Sequence, residues 1–300
     1  MKPKATHILE YLLLRMASGL LVLLPHRVAL ALAWGPARLG FLLSGSLRAR
    51  TVRRLRQALG PEPTDQQLRR IAWLAFRNLA FTAVEGMRLP GVTSAWVARH
   101  INLDPVEQAR EDLATGRGVI VVVPHMGNWE LAGIALHSQG LRLMVLARRQ
   151  KNPLMNAWIN RIRMSTGVEA IDNHSRAIRE IPNKLVNGQV LALLPDVRAK
   201  AGGVPVRFLG VETTVPAGAA RYARAAGVPI IVANVLRRGW VQHEWRITGR
   251  VESDPALDEQ ADRRQIMQYV MDRLGESVRA HPENYFWFNK RWVLGKEPKP

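Results

Sequence analysis

The chain is expected to be an α/β protein: a mixed, largely parallel sheet flanked by helices, with an N-terminal hydrophobic helical segment that anchors it to membranes. Three observations carry this expectation. Short β-branched or apolar runs alternate with segments of helical periodicity, Gly and Pro punctuate the junctions, and residues 8–43 are far more apolar than the rest of the chain. The runs at 121–123, 141–146, 168–171, 190–194, 228–235 and 241–247 read as strands, and 130–138, 153–166, 175–186, 217–226 and 257–280 as helices.

The N-terminal part sets the remaining organisation. Residues 8–24 are apolar apart from Glu10 and Arg15, and as a helix they reach roughly 25 Å at 1.5 Å per residue, marginal for a bilayer crossing. A second apolar stretch at 28–43 carries Gly35-Pro36 and Arg38, which predicts a bent helix lying on the bilayer or on the domain. Spanning and surface-lying stay open as alternatives for the N-terminus. A signal peptide competes with both, since Lys2 and Lys4 precede the apolar run and Ala31-Leu32-Ala33 resembles a cleavage site; Glu10, Arg15 and Arg27 speak against it. The chain therefore divides into an anchoring segment, 1–45, and a catalytic domain, 46–300. Within the latter, 46–59 is a basic helix closed by Gly60-Pro61, and Thr64 with Gln67 forms a capping box for a helix whose apolar face is Leu68, Ile71, Ala75 and Leu79. Asp104-Pro105 starts another helix, and the tail from Lys296 to Pro300 is expected to be solvated.

A net charge of +19, from 43 Lys and Arg against 24 Asp and Glu, favours anionic partners: nucleic acid, anionic membrane, lipid phosphate or an acidic carrier protein. No recognition-helix, zinc-finger or aromatic RNA-binding signature accompanies the charge, so no nucleic acid is expected. The absence of cysteine rules out a disulfide framework and fits a cytoplasmic face.

The chemistry concentrates at Val121-Val-Val-Pro124-His125-Met-Gly127-Asn128-Trp-Glu130. A β-branched strand ends at Pro124, Gly127 permits a sharp turn, and Glu130 opens a helix, which places His125 and Glu130 beyond a strand's carboxyl end, where open α/β sheets hold ligands. An imidazole with a neighbouring carboxylate equips a general base. The alternatives are a structural histidine satisfied by backbone and a first-turn carboxylate favoured by the helix dipole. The spacing is not that of a zinc protease helix, and no metal or other cofactor is expected.

His125-Met-Gly-Asn-Trp-Glu130 resembles the histidine-four-residues-acid motif of glycerolipid acyltransferases, and its interior is similar to that of the bacterial lipid A late acyltransferases. Leu193-Leu194-Pro195-Asp196, Val206-Arg207-Phe208-Leu209-Gly210, Thr214-Val-Pro-Ala-Gly218, Pro282-Glu-Asn-Tyr-Phe-Trp287 and Lys290-Arg291 resemble later blocks of that family in the same order. The resemblance implies transfer of a fatty acyl chain from an acyl carrier protein thioester to a hydroxyl of a lipid A precursor at the cytoplasmic face of the inner membrane. It makes His125 the base, with Glu130 orienting its ring. Arg148 falls near a family arginine associated with substrate; Arg149 and Arg163 are further candidates for holding lipid phosphate. Asp196 is expected in the same crevice, positioning the acceptor or an arginine, or else capping its strand. Asn128 joins the substrate-binding candidates, and the oxyanion donor is either a backbone amide around Gly127 and Asn128 or an arginine. Two departures, Arg198 where relatives often carry a second acid and Asn289 where a histidine is common, bear on the acceptor; a phosphoglycolipid or lysophospholipid is the alternative.

Overall fold

The computed structural model describes residues 3–103, 112–114, 116–147, 149–199, 201–289 and 292–295. The helix start at Asp104-Pro105, Arg148, Lys290-Arg291 and the tail from Lys296 lie outside them.

Nine strands occur among these residues: β1 (Ile101–Asn102), β2 (Ile120–Val122), β3 (Leu143–Ala147), β4 (Glu169–Asp172), β5 (Val190–Leu193), β6 (Val204–Phe208), β7 (Val211–Val215), β8 (Ile230–Arg238) and β9 (Gln242–Val251). Seven of them form one sheet in the order β1-β9-β8-β2-β5-β3-β4, and β6 pairs with β7 apart from it. From β8 to β4 all neighbours are parallel; β9 runs antiparallel to β8 and carries β1 parallel at the edge. The mixed, largely parallel sheet expected from the sequence is present.

The β2 run explains why a parallel strand here needs unbroken apolar residues. Successive side chains alternate across the sheet, so Ile120 and Val122 enter one core with Ala223, Ile266 and Val270, while Val119, Val121 and Val123 enter the other with Leu131, Ala135 and Trp158. Burying each such side chain is worth about 1.5–3 kcal/mol. The helices supplying these layers are α1 (Ala5–Leu23), α2 (His26–Leu43), α3 (Gly45–Leu59), α4 (Asp65–Arg88), α5 (Ser94–His100), α6 (Trp129–Ser138), α7 (Pro153–Ser165), α8 (Ile181–Val186), α9 (Gly218–Ala226) and α10 (Glu259–Ala280).

Local chemistry starts most of them where the sequence indicates. Thr64 and Gln67 form the reciprocal capping box of α4, Asn152 caps α7 ahead of Pro153, and Asp258 accepts from the amides of Gln260 and Ala261 at α10. The segment 175–186 differs from expectation. Its first part is a 3-10 turn at Arg176–Glu180 and only Ile181–Val186 is α-helical, because Pro182 lacks the amide donor that would bond back to Ile178 and continue one α-helix, and is tolerated only in the first turn. The β6–β7 hairpin is also an addition: Val204, Val206 and Phe208 are buried in alternation with exposed Pro205 and Arg207, and Leu209-Gly210 turn with φ of 50° and 86°.

On α4 the buried residues are Leu68, Ala72, Ala75, Asn78, Phe81, Thr82, Val84 and Glu85; Leu68 and Ala75 of the expected face are among them, and Ile71 and Leu79 are half-buried. α2 retains Pro36 inside one helix, and the sharp turn comes where α2 meets α3, at 87°. Ala29 and Leu30 of α2 are fully buried, so the helix containing Ala31-Leu32-Ala33 is part of the core, which removal by a signal-peptide cut would disrupt.

Candidate active site

Strand register brings the two key side chains together. Val122 on β2 lies opposite Leu193 on β5, and each strand continues through an apolar residue and a proline to a polar one: Val123-Pro124-His125 and Leu194-Pro195-Asp196. Equal offsets from paired residues make the ends of neighbouring parallel strands meet. Both prolines turn the chain alike, with Met126 N donating to Pro124 O and Val197 N to Pro195 O, each at 2.7 Å. The outcome is a hydrogen bond of 2.7 Å between His125 Nδ1 and Asp196 Oδ1, while the His125 amide donates to Asp196 Oδ2 at 2.9 Å.

Asp196 is 2% exposed and also receives a hydrogen bond from the Tyr285 hydroxyl. The segment bearing Tyr285 is stitched to the turn that carries His125: Phe286 N donates to His125 O at 2.8 Å and Gly127 N to Asn284 O at 2.9 Å. Gly127 adopts φ of 59°, and a Cβ there would lie 1.9 Å from Val235 O, so the turn requires glycine. Trp129 and Phe286 rings flank the imidazole at centroid distances of 5.3 and 6.3 Å. With Nδ1 engaged, Nε2 is the nitrogen left to act on a substrate.

The expected His125–Glu130 contact is not formed, and Asp196 holds the ring instead. Glu130 begins α6 and makes a two-pronged pair with Arg163 of α7, at 2.5 Å from Nη2 and 3.2 Å from Nε. The cause is backbone direction: α6 carries Glu130 toward α7, whereas the β5 end delivers Asp196 to Nδ1. Asn128 likewise departs from a substrate-binding role. It is fully buried; its Oδ1 caps α6 by accepting from Leu131 N, and its Nδ2 donates to Glu85 Oε2 at 2.6 Å. The Gly127 amide, engaged by Asn284 O, is removed from the oxyanion candidates. Arg149 is exposed two residues past β3, on the same strand-end side; Arg148 lies outside the described residues.

Beneath the turn sits a buried ionic node for which the sequence offers little local signal. Arg237 Nη1 and Nη2 grip Glu85 at 2.8 and 2.5 Å, His243 Nε2 lies 3.3 Å from Glu85 Oε1, and His26 at the start of α2 is equally near. Burial opposes ionisation of Glu85, but the charges of Arg237 and His243 and the hydrogen bonds it accepts hold its carboxyl well below the ordinary range. Burial pushes His243 down, outweighing the attraction of Glu85. Thr82 Oγ1, one turn before Glu85, donates to Gly127 O at 3.1 Å. The available signal was the polar continuation Asn78, Thr82, Glu85 along the otherwise apolar stripe of α4. Tyr285 had a signal only as part of the terminal block.

Burial lowers the His125 pKa, and the Asp196 charge and hydrogen bond overcome that effect to raise it above its ordinary 6.5; burial raises Asp196, and its hydrogen-bond partners bring it below 3.8. A raised histidine stabilises the fold fully below 6.5 and loses that contribution as pH rises through its folded value; a depressed aspartate contributes above 3.8 and loses it as pH falls. The pair is therefore fully stabilising between these ordinary values. Asp196→Asn is expected to move the acid limb of kcat/KM to lower pH, because the base loses the group that raises it, while lowering the plateau by about 10²-fold or more. A pH–rate profile of the variant with an unmoved acid limb would remove Asp196 from this role.

Among the described residues no group of three or more His, Cys, Asp or Glu side chains is arranged to hold a metal ion. No serine, threonine or cysteine side chain among them bonds to His125. Among the described residues the site is thus a strand-end histidine whose ring is held by a buried acid, a geometry suited to general-base chemistry.

The chain belongs to the bacterial lipid A biosynthesis acyltransferase family, whose model matches residues 2–293. It is 27% identical over 220 residues to a phosphatidylinositol mannoside acyltransferase of Mycobacterium tuberculosis strain H37Rv, covering 70% of this chain and 66% of that protein. The corresponding Mycolicibacterium smegmatis protein is 22% identical over 213 residues, with 70% and 68% covered. A lipid A biosynthesis acyltransferase of Haemophilus influenzae is 27% identical over 193 residues, covering 62% of this chain and 56% of that one.

Proposed function

We propose that the protein is a membrane-bound O-acyltransferase that moves a fatty acyl chain from an acyl carrier protein thioester to a hydroxyl of a lipid A precursor at the cytoplasmic face of the bacterial inner membrane. The observation that carries this reading is the His125–Asp196 pair in a family of acyltransferases. His125 Nε2 removes the acceptor hydroxyl proton as the oxygen attacks the thioester carbonyl. The tetrahedral intermediate collapses, the carbon–sulfur bond breaks, and the imidazolium returns the proton to the leaving sulfur. Asp196 stabilises the imidazolium through Nδ1, and no acyl-enzyme forms.

The Glu130–Arg163 pair ties the start of α6 to α7. Arg149, and Arg148 by its resemblance to a family arginine, are proposed to meet the anionic headgroup. The excess of Lys and Arg suits both an acidic carrier protein and anionic lipid.

A phosphoglycolipid acceptor is the second reading, favoured by the similarity to the mycobacterial phosphatidylinositol mannoside acyltransferases. Mass spectrometry of defined acceptors incubated with acyl carrier protein and coenzyme A thioesters separates the two. One acyl increment on a lipid A precursor is expected, with the carrier protein thioester as the better donor. Acylation of a mannosylated phosphoinositide alone would establish the second reading, and no increment on any acceptor would sink both.

A further inference from the structure

A serine or threonine buried in a helix commonly donates its hydroxyl proton to the helix carbonyl one turn back. Thr51 of α3 does so toward Leu47 O at 2.8 Å, and Ser277 of α10 toward Arg273 O at 3.0 Å. Thr82 of α4 does not. Its hydroxyl leaves the helix and donates to Gly127 O at 3.1 Å, while Arg237 Nη2 donates to it at 3.4 Å. Asn78, one turn earlier, also reaches across, with Nδ2 donating to Glu283 O at 2.8 Å. Glu85, nearly one turn later, accepts from the Asn128 side-chain amide at 2.6 Å.

The three positions follow helical spacing along one face of α4, and Asn78, Thr82 and Glu85 are only 5%, 8% and 2% exposed. Burying polar groups there carries a desolvation cost that apolar side chains would avoid. Their bonds all end on the two segments that bracket the His125–Asp196 pair. One, 127–128, directly follows that histidine and its methionine neighbour; the other, 283–285, brings the Tyr285 hydroxyl to Asp196. Gly127 N donates to Asn284 O, and Asn284 Oδ1 accepts from Arg237 N at 2.7 Å. Gly127 thus has its amide held by Asn284 and its carbonyl by Thr82, with φ at 59°.

We propose that Asn78 and Thr82 are positioning residues of the transfer reaction: through them α4 fixes the 127–128 turn and the 283–285 segment against each other, and with them the place of His125 Nε2. Neither side chain touches a reacting atom. Proton transfer requires heavy atoms within about 2.6–3.2 Å, and a misplacement of about 1 Å is enough to cost about 10²-fold. The two act on opposite sides of the pair. Thr82 governs the turn and leaves the bond between Asp196 and Nδ1 as it is. Asn78 governs the segment of Tyr285, whose hydroxyl bond stabilises the Asp196 charge; weakening that bond leaves the carboxylate a stronger partner for the imidazolium. The inference rests on the reading of His125 as the base, and one of its two tests needs no turnover.

Thr82→Val keeps the side-chain shape without the hydroxyl, Thr82→Ser restores the hydroxyl, and Asn78→Leu removes the donor to Glu283 O. Hydrogen exchange of the full-length protein is read by mass spectrometry on peptides covering 125–131 and 283–287. It should quicken about tenfold or more there in the valine and leucine variants and keep the parental rate in Thr82→Ser. Ile266→Val, a truncation in the core of α10, should leave both peptides at the parental rate. Unchanged exchange in both peptides, or a rise spread evenly over the domain, would overturn the inference. With acyl carrier protein thioester and the acceptor that gains the acyl increment, kcat of Thr82→Val should fall about 10–10²-fold, KM should change less than about twofold, and the acid limb should stay in place. Asn78→Leu should lower kcat and move the acid limb to higher pH. Thr82→Ser should return kcat to within about threefold of the parent. Parental kcat in Thr82→Val, or a serine variant as slow as the valine one, would reduce the stripe to packing. Full turnover by His125→Ala would retract the base and leave the exchange result standing. Parental exchange in the stripe variants, with His125→Ala inactive, would retract only this inference.

Discussion

Replacing His125 with alanine is expected to reduce acyl transfer by about 10²–10⁴-fold, the range typical of a lost general base, with the fold retained. Asp196 would keep two hydrogen bonds, from the residue-125 amide and from Tyr285, so the buried carboxyl is not stripped of partners. His125→Gln serves as companion because its amide can still donate toward Asp196 but cannot accept a proton at neutral pH. Both variants should melt within a few degrees of the parent, a shift of about 1 kcal/mol in a protein of this size. Turnover within tenfold of the parent in both variants would mean that another group removes the acceptor proton. The same result would leave the His125–Asp196 pair as a structural contact between β2 and β5.

The largest expected stability effect lies away from the reacting atoms. Glu85→Ala leaves the Arg237 guanidinium, whose side chain is fully buried, without its counter-charge, a loss of about 3–5 kcal/mol by analogy with other broken buried pairs. It also frees the Asn128 amide and so loosens the turn beside His125. Glu85→Gln should cost less, since a neutral amide still accepts from Arg237 and Asn128. Because the Glu85 carboxyl is held well below its ordinary 4.5, its contribution is complete above that value and lost as pH falls toward the depressed one. Urea unfolding at neutral pH measures the difference. A loss near 1 kcal/mol or less, the scale of a surface ion pair, would show that Arg237 finds water or another acceptor.

The site was partly legible in sequence. His125 is recognisable because a β-branched run ending in Pro, followed by Gly and a helix start, has few local solutions. Glu130 was the nearest acid in the chain, and proximity in sequence suggested a contact that helix direction prevents. Asp196 was readable as a strand-end acid, but its partner depends on β2 and β5 being neighbours in register, 71 residues apart in the chain. Asn128 looked available as a polar residue in a catalytic motif; its donor and acceptor are both consumed by the capping of α6 and by Glu85.

The sequence by itself determined the alternation of strands and helices, the basic and apolar N-terminal region, and the turn that presents His125. Those properties arise from periodicity, capping and backbone restriction, which act over a few residues. Only the tertiary structure decided which carboxylate holds the imidazole, that Glu130 pairs with Arg163, and that Glu85, Arg237 and His243 share one buried node. These are choices among chemically equivalent partners distant in the chain, and they are settled by strand order, register and packing, which no local pattern encodes.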